Sequence, residues 1–159
     1  MKVINVIIFV CIIAGCTPKA VKEKYRIPYG FKGQIFIFFS KEDGMAKKYE
    51  NGYRVYDIPA NGILKTQFDP NYGYQNVGEY VYMYVDSSST EIVLKIHERN
   101  DTTIAPNEVY ITAQETGGGG VKDEYEYQTF NVKTLNDSLI LANRNPRLMN
   151  SVLKEAGIK

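Results

Sequence analysis

Residues 79–85 alternate one position at a time: Tyr80, Tyr82 and Tyr84 fall on one parity, and Val81, Met83 and Val85 on the other. A two-residue period of this kind describes a strand with one face covered, and no helical spacing competes with it. Similar runs recur along the chain. Residues 52–59 set Tyr53, Val55 and Asp57 against Arg54, Tyr56 and Ile58, and residues 91–98 set Ile92, Leu94 and Ile96 against Val93, Lys95 and His97. Residues 108–114 and 124–132 read as further strands, the latter with Tyr125, Tyr127 and Thr129 on one face, and residues 139–142 as a short last one. Residues 34–40 are apolar on both parities, as expected of a central strand covered on both faces. Asn61-Gly62 is a hairpin signal between residues 52–59 and the run Ile63-Leu64-Lys65-Thr66-Gln67. The end of the chain differs in kind. Asn145-Pro146 reads as a cap followed by proline at the first helical position, Leu148, Met149, Val152 and Leu153 recur at three and four, and Gly157 stands where a helix stops. The expected fold is therefore all-β: an antiparallel β-sandwich or partly open barrel of about seven to eight strands, with one C-terminal amphipathic helix over residues 146–156.

The N-terminal residues follow a secretory plan. Lys2 is their only charge, and residues 3–13 are apolar apart from Asn5, about a dozen positions where a membrane-spanning helix needs roughly 20. The run ends in Ile13-Ala14-Gly15-Cys16, which resembles the bacterial lipobox. That resemblance implies a signal peptide over residues 1–15 and diacylglycerol, with palmitate-type chains, on the sulfur of Cys16. Two or three acyl chains make such an anchor stable, because each buried methylene adds about 0.8 kcal/mol. Residues 16–24 are polar and aperiodic and read as a lipidated tether, leaving residues 25–159 as one β domain. The eight residues after Cys16 reach at most roughly 28 Å. The expected location is the bacterial cell envelope, held at the membrane by the N-terminal lipid. Threonine at position 17, where the sorting rule of Gram-negative lipoproteins turns on aspartate, points to the outer membrane in a host with two.

Without residues 1–15 the chain carries 18 basic and 18 acidic side chains, so it lacks the basic excess that a nucleic-acid partner demands. Its two cysteines are Cys11, within the leader, and Cys16, so the exported domain has no disulfide available and depends on its core. About 130 residues suffice for one such core.

Two stretches, Ile27-Pro28-Tyr29-Gly30-Phe31-Lys32-Gly33-Gln34-Ile35 and Val55-Tyr56-Asp57-Ile58-Pro59-Ala60-Asn61-Gly62-Ile63-Leu64-Lys65-Thr66, with a Tyr-Gln-Thr-Phe-x-Val segment at 127–132, resemble a family of small bacterial lipoproteins whose β domain has no known function. The resemblance implies a shared β fold and an exported, anchored life. It brings no catalytic or binding residues.

No catalytic set emerges from the residues. His97 is the only histidine and has no nucleophile elbow near it in sequence, so a Ser-His-Asp relay is not expected. One imidazole and no thiol do not make a zinc site, and Asp69, Asn71, Asn100 and Asp101 lack the alternating acidic loop of a calcium site. No metal and no cofactor are expected. Gly117 to Gly120 lack the Gly-Lys-Ser/Thr ending of a phosphate loop and read as a mobile hairpin tip. The expected role is a non-enzymatic binding or structural module with a protein or glycan partner. The alternative is a carboxylate-dependent, glycosidase-like hydrolase drawing on Glu79, Glu124 and Glu126, because glycoside chemistry needs only two suitably placed acids. Tyr80, Tyr82 and Tyr84 are the candidate binding surface, since tyrosine offers a flat face and a hydroxyl. Their other reading is core.

Overall fold

The computed structural model describes residues 19–73, 76, 79–88, 90–97, 103–120, 124–138 and 141–158. The leader, Cys16 and most of the residues just after it, and positions 139 and 140 of the expected last strand, lie outside the described residues; Ala142 itself opens a single 3-10 turn, Ala142–Arg144.

Eleven strands among the described residues form two sheets without closing a barrel. The first sheet contains β1 (Lys22–Pro28), β3 (Tyr49–Glu50), β4 (Tyr53–Asp57), β6 (Tyr80–Val85) and β7 (Glu91–Val93), in the order β3-β4-β1-β6-β7. The second contains β2 (Gly33–Phe38), β5 (Ile63–Lys65), β8 (Lys95–Ile96), β9 (Tyr110–Ile111), β10 (Glu115–Gly119) and β11 (Tyr125–Lys133), in the order β5-β2-β11-β9-β8 with β10 on β11. The principal core lies between the sheets and includes Tyr25, Ile35, Ile37, Tyr56, Phe68, Tyr82, Ile111 and Phe130.

The sandwich agrees with the period-two pattern, and the pairing is mixed where antiparallel neighbours were expected. β1 runs parallel to both β4 and β6, β2 parallel to β5, and β8 parallel to β9. The cause is the route of the chain. After β1 it crosses to the other sheet as β2 and then returns, so β4 comes back beside β1 pointing the same way. The opposite sheet thus does the work of the crossover that parallel strands require. Asn61-Gly62 accordingly does not close a hairpin between β4 and β5. It is an arch from one sheet to the other, closed by Gly62 N–H on the Pro59 carbonyl at 2.9 Å and by Ile63 N–H on Asn61 Oδ1 at 3.1 Å.

Residues 22–24, read above as tether, are the start of β1. The strand alternates with Glu23, Tyr25 and Ile27 inward, and a carboxylate at the first inward position hides the period. Residues 91–98 likewise are not one strand. The chain changes sheets at Leu94, between β7 and β8, with Leu94 N–H still bonded to the Tyr82 carbonyl at 2.9 Å.

The run expected as the central strand, β2, is covered on both faces, with Ile35 and Ile37 in the principal core and Phe36 and Phe38 on the opposite face, but it lies between β5 and β11, and β11 is the centre of the sheet. Covering that outer face is α1 (Pro146–Glu155), which packs Met149, Val152, Leu153 and Ala156 against Phe36, Phe38, Tyr125 and Tyr127. Asn145 Oδ1 accepts from the N–H groups of Arg147 and Leu148, and Pro146 occupies a position whose missing N–H costs nothing.

Gly117, Gly118 and Gly119 of the glycine run are strand and not hairpin tip; Gly120 follows β10. β10 pairs with β11 so that Gly117 lies opposite Tyr127 and Gly119 opposite Tyr125. Both tyrosine rings lie across the glycines: a methyl built on Gly117 would stand 2.5 Å from the Tyr127 ring, and one on Gly119 3.0 Å from the Tyr125 hydroxyl. A methyl on Gly118 would stand 2.7 Å from the backbone carbonyl oxygen of Tyr125, which cannot swing aside. Gly118→Ala is expected to cost about 1–3 kcal/mol through overpacking. Gly117→Ala, which meets only the far end of a ring, should cost less, and urea melts of the two variants test that ranking.

Candidate functional site

At the register shared by β4, β1 and β6, three tyrosines stand in a row, Tyr56, Tyr25 and Tyr82. Tyr25 stacks between the other two, with ring centroids at 5.0 and 4.7 Å. Its hydroxyl donates to Glu23 Oε2 at 2.8 Å and accepts from the side-chain amides of Gln114 at 3.0 Å and Gln128 at 3.2 Å. Tyr56 donates to the other carboxylate oxygen of Glu23 at 3.0 Å. Glu23 is only 2% exposed, so these phenols solvate a charge that water does not reach. Burial, and then the Glu23 charge, push the Tyr25, Tyr56 and Tyr82 phenols well above the ordinary tyrosine range.

This row decides the fate of the tyrosine stripe. Tyr82 and Tyr84 are buried in the core between the sheets, and Tyr80 is half-buried with its ring edge-on to Tyr82. They do not form an exposed aromatic face, because the second sheet covers the parity that the alternation singles out. Tyr84 donates to the Phe31 carbonyl, and burial pushes its phenol up to about 12.

The stripe's neighbours nonetheless frame two concavities, one on each side of the crossing at Leu94. The smaller, about 340 Å³, has Tyr80, Tyr82, Ile96, His97, Thr112 and Gln114 in its wall. Two of its polar side chains are engaged: Gln114 on Tyr25, and Thr112 Oγ1 accepting from Asn131 N–H at 2.9 Å. His97 lies against the Tyr110 ring, centroids 4.7 Å apart, and its backbone N–H bonds the Ile111 carbonyl.

The larger is a groove of about 410 Å³ at the end of the sandwich where β1 finishes, lined by Tyr29, Tyr84, Ile92, Val93, Leu94 and Val109 among others. Tyr29 is 65% exposed, Ile92 44% and Val93 69%, so apolar side chains gather there in the open. Tyr29 meets Tyr84 edge-on at 5.7 Å. The ion pair Lys95–Glu108, 2.6 Å, borders it. Of this lining, only Tyr84 stands among the candidates read from the sequence. Tyr29 reads as part of a turn, and the one signal was Ile92-Val93-Leu94, three successive apolar residues of which an alternating strand can hide only two.

Other candidates are tied up separately. Glu79 pairs with Lys19 at 2.6 Å and accepts from Asn76 N–H, Glu126 accepts from the Tyr72 hydroxyl, and Glu124 is exposed. Asp69 accepts from Ser40 and Lys47, and Asn71 is bonded to the Val21 backbone. Among the described residues no group of three or more His, Cys, Asp and Glu side chains is placed to hold a metal ion, and no helix is long and apolar enough to cross a membrane.

The class defined by this architecture is a two-sheet all-β sandwich with a helix on one outer face. A crystal structure of a protein from Bacillus anthracis, described there as a candidate lipoprotein, shares it with a TM-score of 0.57 at 13% identity, over 84% of this chain and 94% of that one. At that identity the likeness is one of fold. Residues 19–139 match a family described as a family of unknown function (DUF6843), and the chain belongs to that family. No curated protein matches the sequence.

Proposed function

We propose that the protein is a lipid-anchored lipoprotein of the bacterial cell envelope whose domain binds an apolar segment of a partner protein without catalysing a reaction. The leader ending in Ile13-Ala14-Gly15-Cys16 supports the anchor, and so does the description of the Bacillus anthracis protein of like fold. In a host with two membranes, Thr17 assigns it to the outer one. The observation that carries the binding role is the groove beside Tyr29, Ile92 and Val93. Four aliphatic side chains, Ile92, Val93, Leu94 and Val109, outnumber its one exposed ring, Tyr29, and such a lining suits an apolar protein segment better than a glycan, whose rings want flat aromatic faces. β1 enters at Lys22 and ends at Pro28, immediately before Tyr29, so the groove lies a strand's length, about 20 Å, from where the anchor joins.

The test is site-specific photo-cross-linking in cells. A photoreactive residue at Ile92 or Val93 should trap one discrete envelope protein, and the same residue at Leu148 on the helix should not. Equal or no trapping at the two places would sink the groove. Turnover of a hydrolase or glycosidase substrate by the purified chain, above a heat-treated control, would overturn the non-enzymatic reading.

A further inference from the structure

The opposite end of the sandwich has its own character. Lys22 and Lys24 hold their ammonium groups 5.6 and 6.0 Å from the Tyr53 ring centroid, with no carboxylate in ion-pair range among the described residues. Neighbouring cations differ: Lys19 is neutralised by Glu79 and Lys47 by Asp69. Val21, part-exposed, is tied to Asn71 by bonds of 3.0 and 2.7 Å, and this holds the adjacent Tyr72 at 70% exposure with its hydroxyl on Glu126. Tyr49, also exposed, stands edge-on to Phe68, whose ring receives the Arg54 guanidinium at 5.1 Å. Exposed tyrosines beside un-neutralised lysines are the composition of a membrane–water interface, where the ring meets the acyl boundary and the hydroxyl stays wet.

We infer that this end of the domain lies on the bilayer itself, with Lys22 and Lys24 on anionic lipid headgroups and Tyr72 and Tyr49 at headgroup depth. The inference rests on the lipid-anchor reading above, and the early start of β1 at Lys22 strengthens it. Lys19 is pinned by Glu79 and β1 begins at Lys22, so the slack between an acylated Cys16 and the folded domain is three residue steps, at most about 11 Å. So short a leash keeps this end of the domain within reach of the headgroups, and the lysines and tyrosines hold it on them.

The chain contains no tryptophan, so a single substitution supplies a clean reporter. The full lipidated chain carrying Tyr72→Trp, and separately Tyr29→Trp at the far end, is placed in phosphatidylglycerol–phosphatidylcholine vesicles with brominated acyl chains. The expected result is quenched, blue-shifted emission for Tyr72→Trp and unquenched emission for Tyr29→Trp. Adding Lys22→Gln and Lys24→Gln should lower the docked-to-undocked ratio about 25-fold, roughly fivefold for each lysine at an anionic surface. Quenching would then fall toward the Tyr29→Trp level while palmitate labelling persists. Equal quenching of the two reporters in palmitate-labelled chains overturns the docking and leaves the anchor standing. Quenching that ignores both the lysine substitutions and the removal of phosphatidylglycerol overturns the headgroup contact. Absence of palmitate label overturns the anchor and the docking together.

Discussion

Tyr25→Ala is expected to unfold the domain or bring it to the edge of unfolding. The substitution removes a fully buried ring from between Tyr56 and Tyr82 and from the edge of Phe130, a loss of about 3–5 kcal/mol for an aromatic truncated in a core. It also takes from Glu23, Gln114 and Gln128 the hydroxyl they share, adding about 1–3 kcal/mol for groups left buried without it. Against a total of about 5–15 kcal/mol, most or all of the stability is gone. Tyr25→Phe keeps the stack and loses only the hydroxyl, so its cost should be the second part alone. Urea denaturation of the two variants separates packing from polar satisfaction, and equal midpoints would show that the stack contributes nothing.

The second large effect is alkaline unfolding. The phenols of Tyr25, Tyr56 and Tyr82 are held above the ordinary value of about 10 that they regain when unfolded. Below that pH both states keep these protons and the stabilisation is complete. Above it the unfolded chain sheds them first, and stability falls as pH climbs toward the folded values. The expected observation is a cooperative rise in phenolate absorbance that coincides with loss of the β-sheet circular dichroism signal. Smooth ionisation of all 13 tyrosines with unchanged dichroism would refute it.

What could be read from the residues was local. β2, apolar on both parities, is a strand with a core on each face, β6 turns its tyrosine parity toward the other sheet although Met83 on the opposite parity is buried too, and Asn145-Pro146 caps a helix. Pairing direction was not legible, because periodicity reports which face is covered and carries no record of which way the neighbouring strand runs. β1 was hidden for a different reason: its first inward side chain is Glu23, a carboxylate that Tyr25 and Tyr56 reach from positions 2 and 33 residues away. The glycines of β10 read as flexible until Tyr125 and Tyr127 are seen lying over them. The groove was illegible for the same reason as Glu23. It draws Tyr29, Ile92 and Val109 from three separate segments, and only the crossing at Leu94 brings them together.

The two parallel ladders that flank β1 bear on how the molecule carries force. β1 is registered with β4 at five positions and with β6 at six. A pull at its N-terminal end along the strand axis loads both ladders in shear, so all those pairs resist at once, whereas a strand on a hairpin edge would peel away one pair at a time. Tension between a membrane at one end and an occupant of the groove at the other would run through the middle of the sheet.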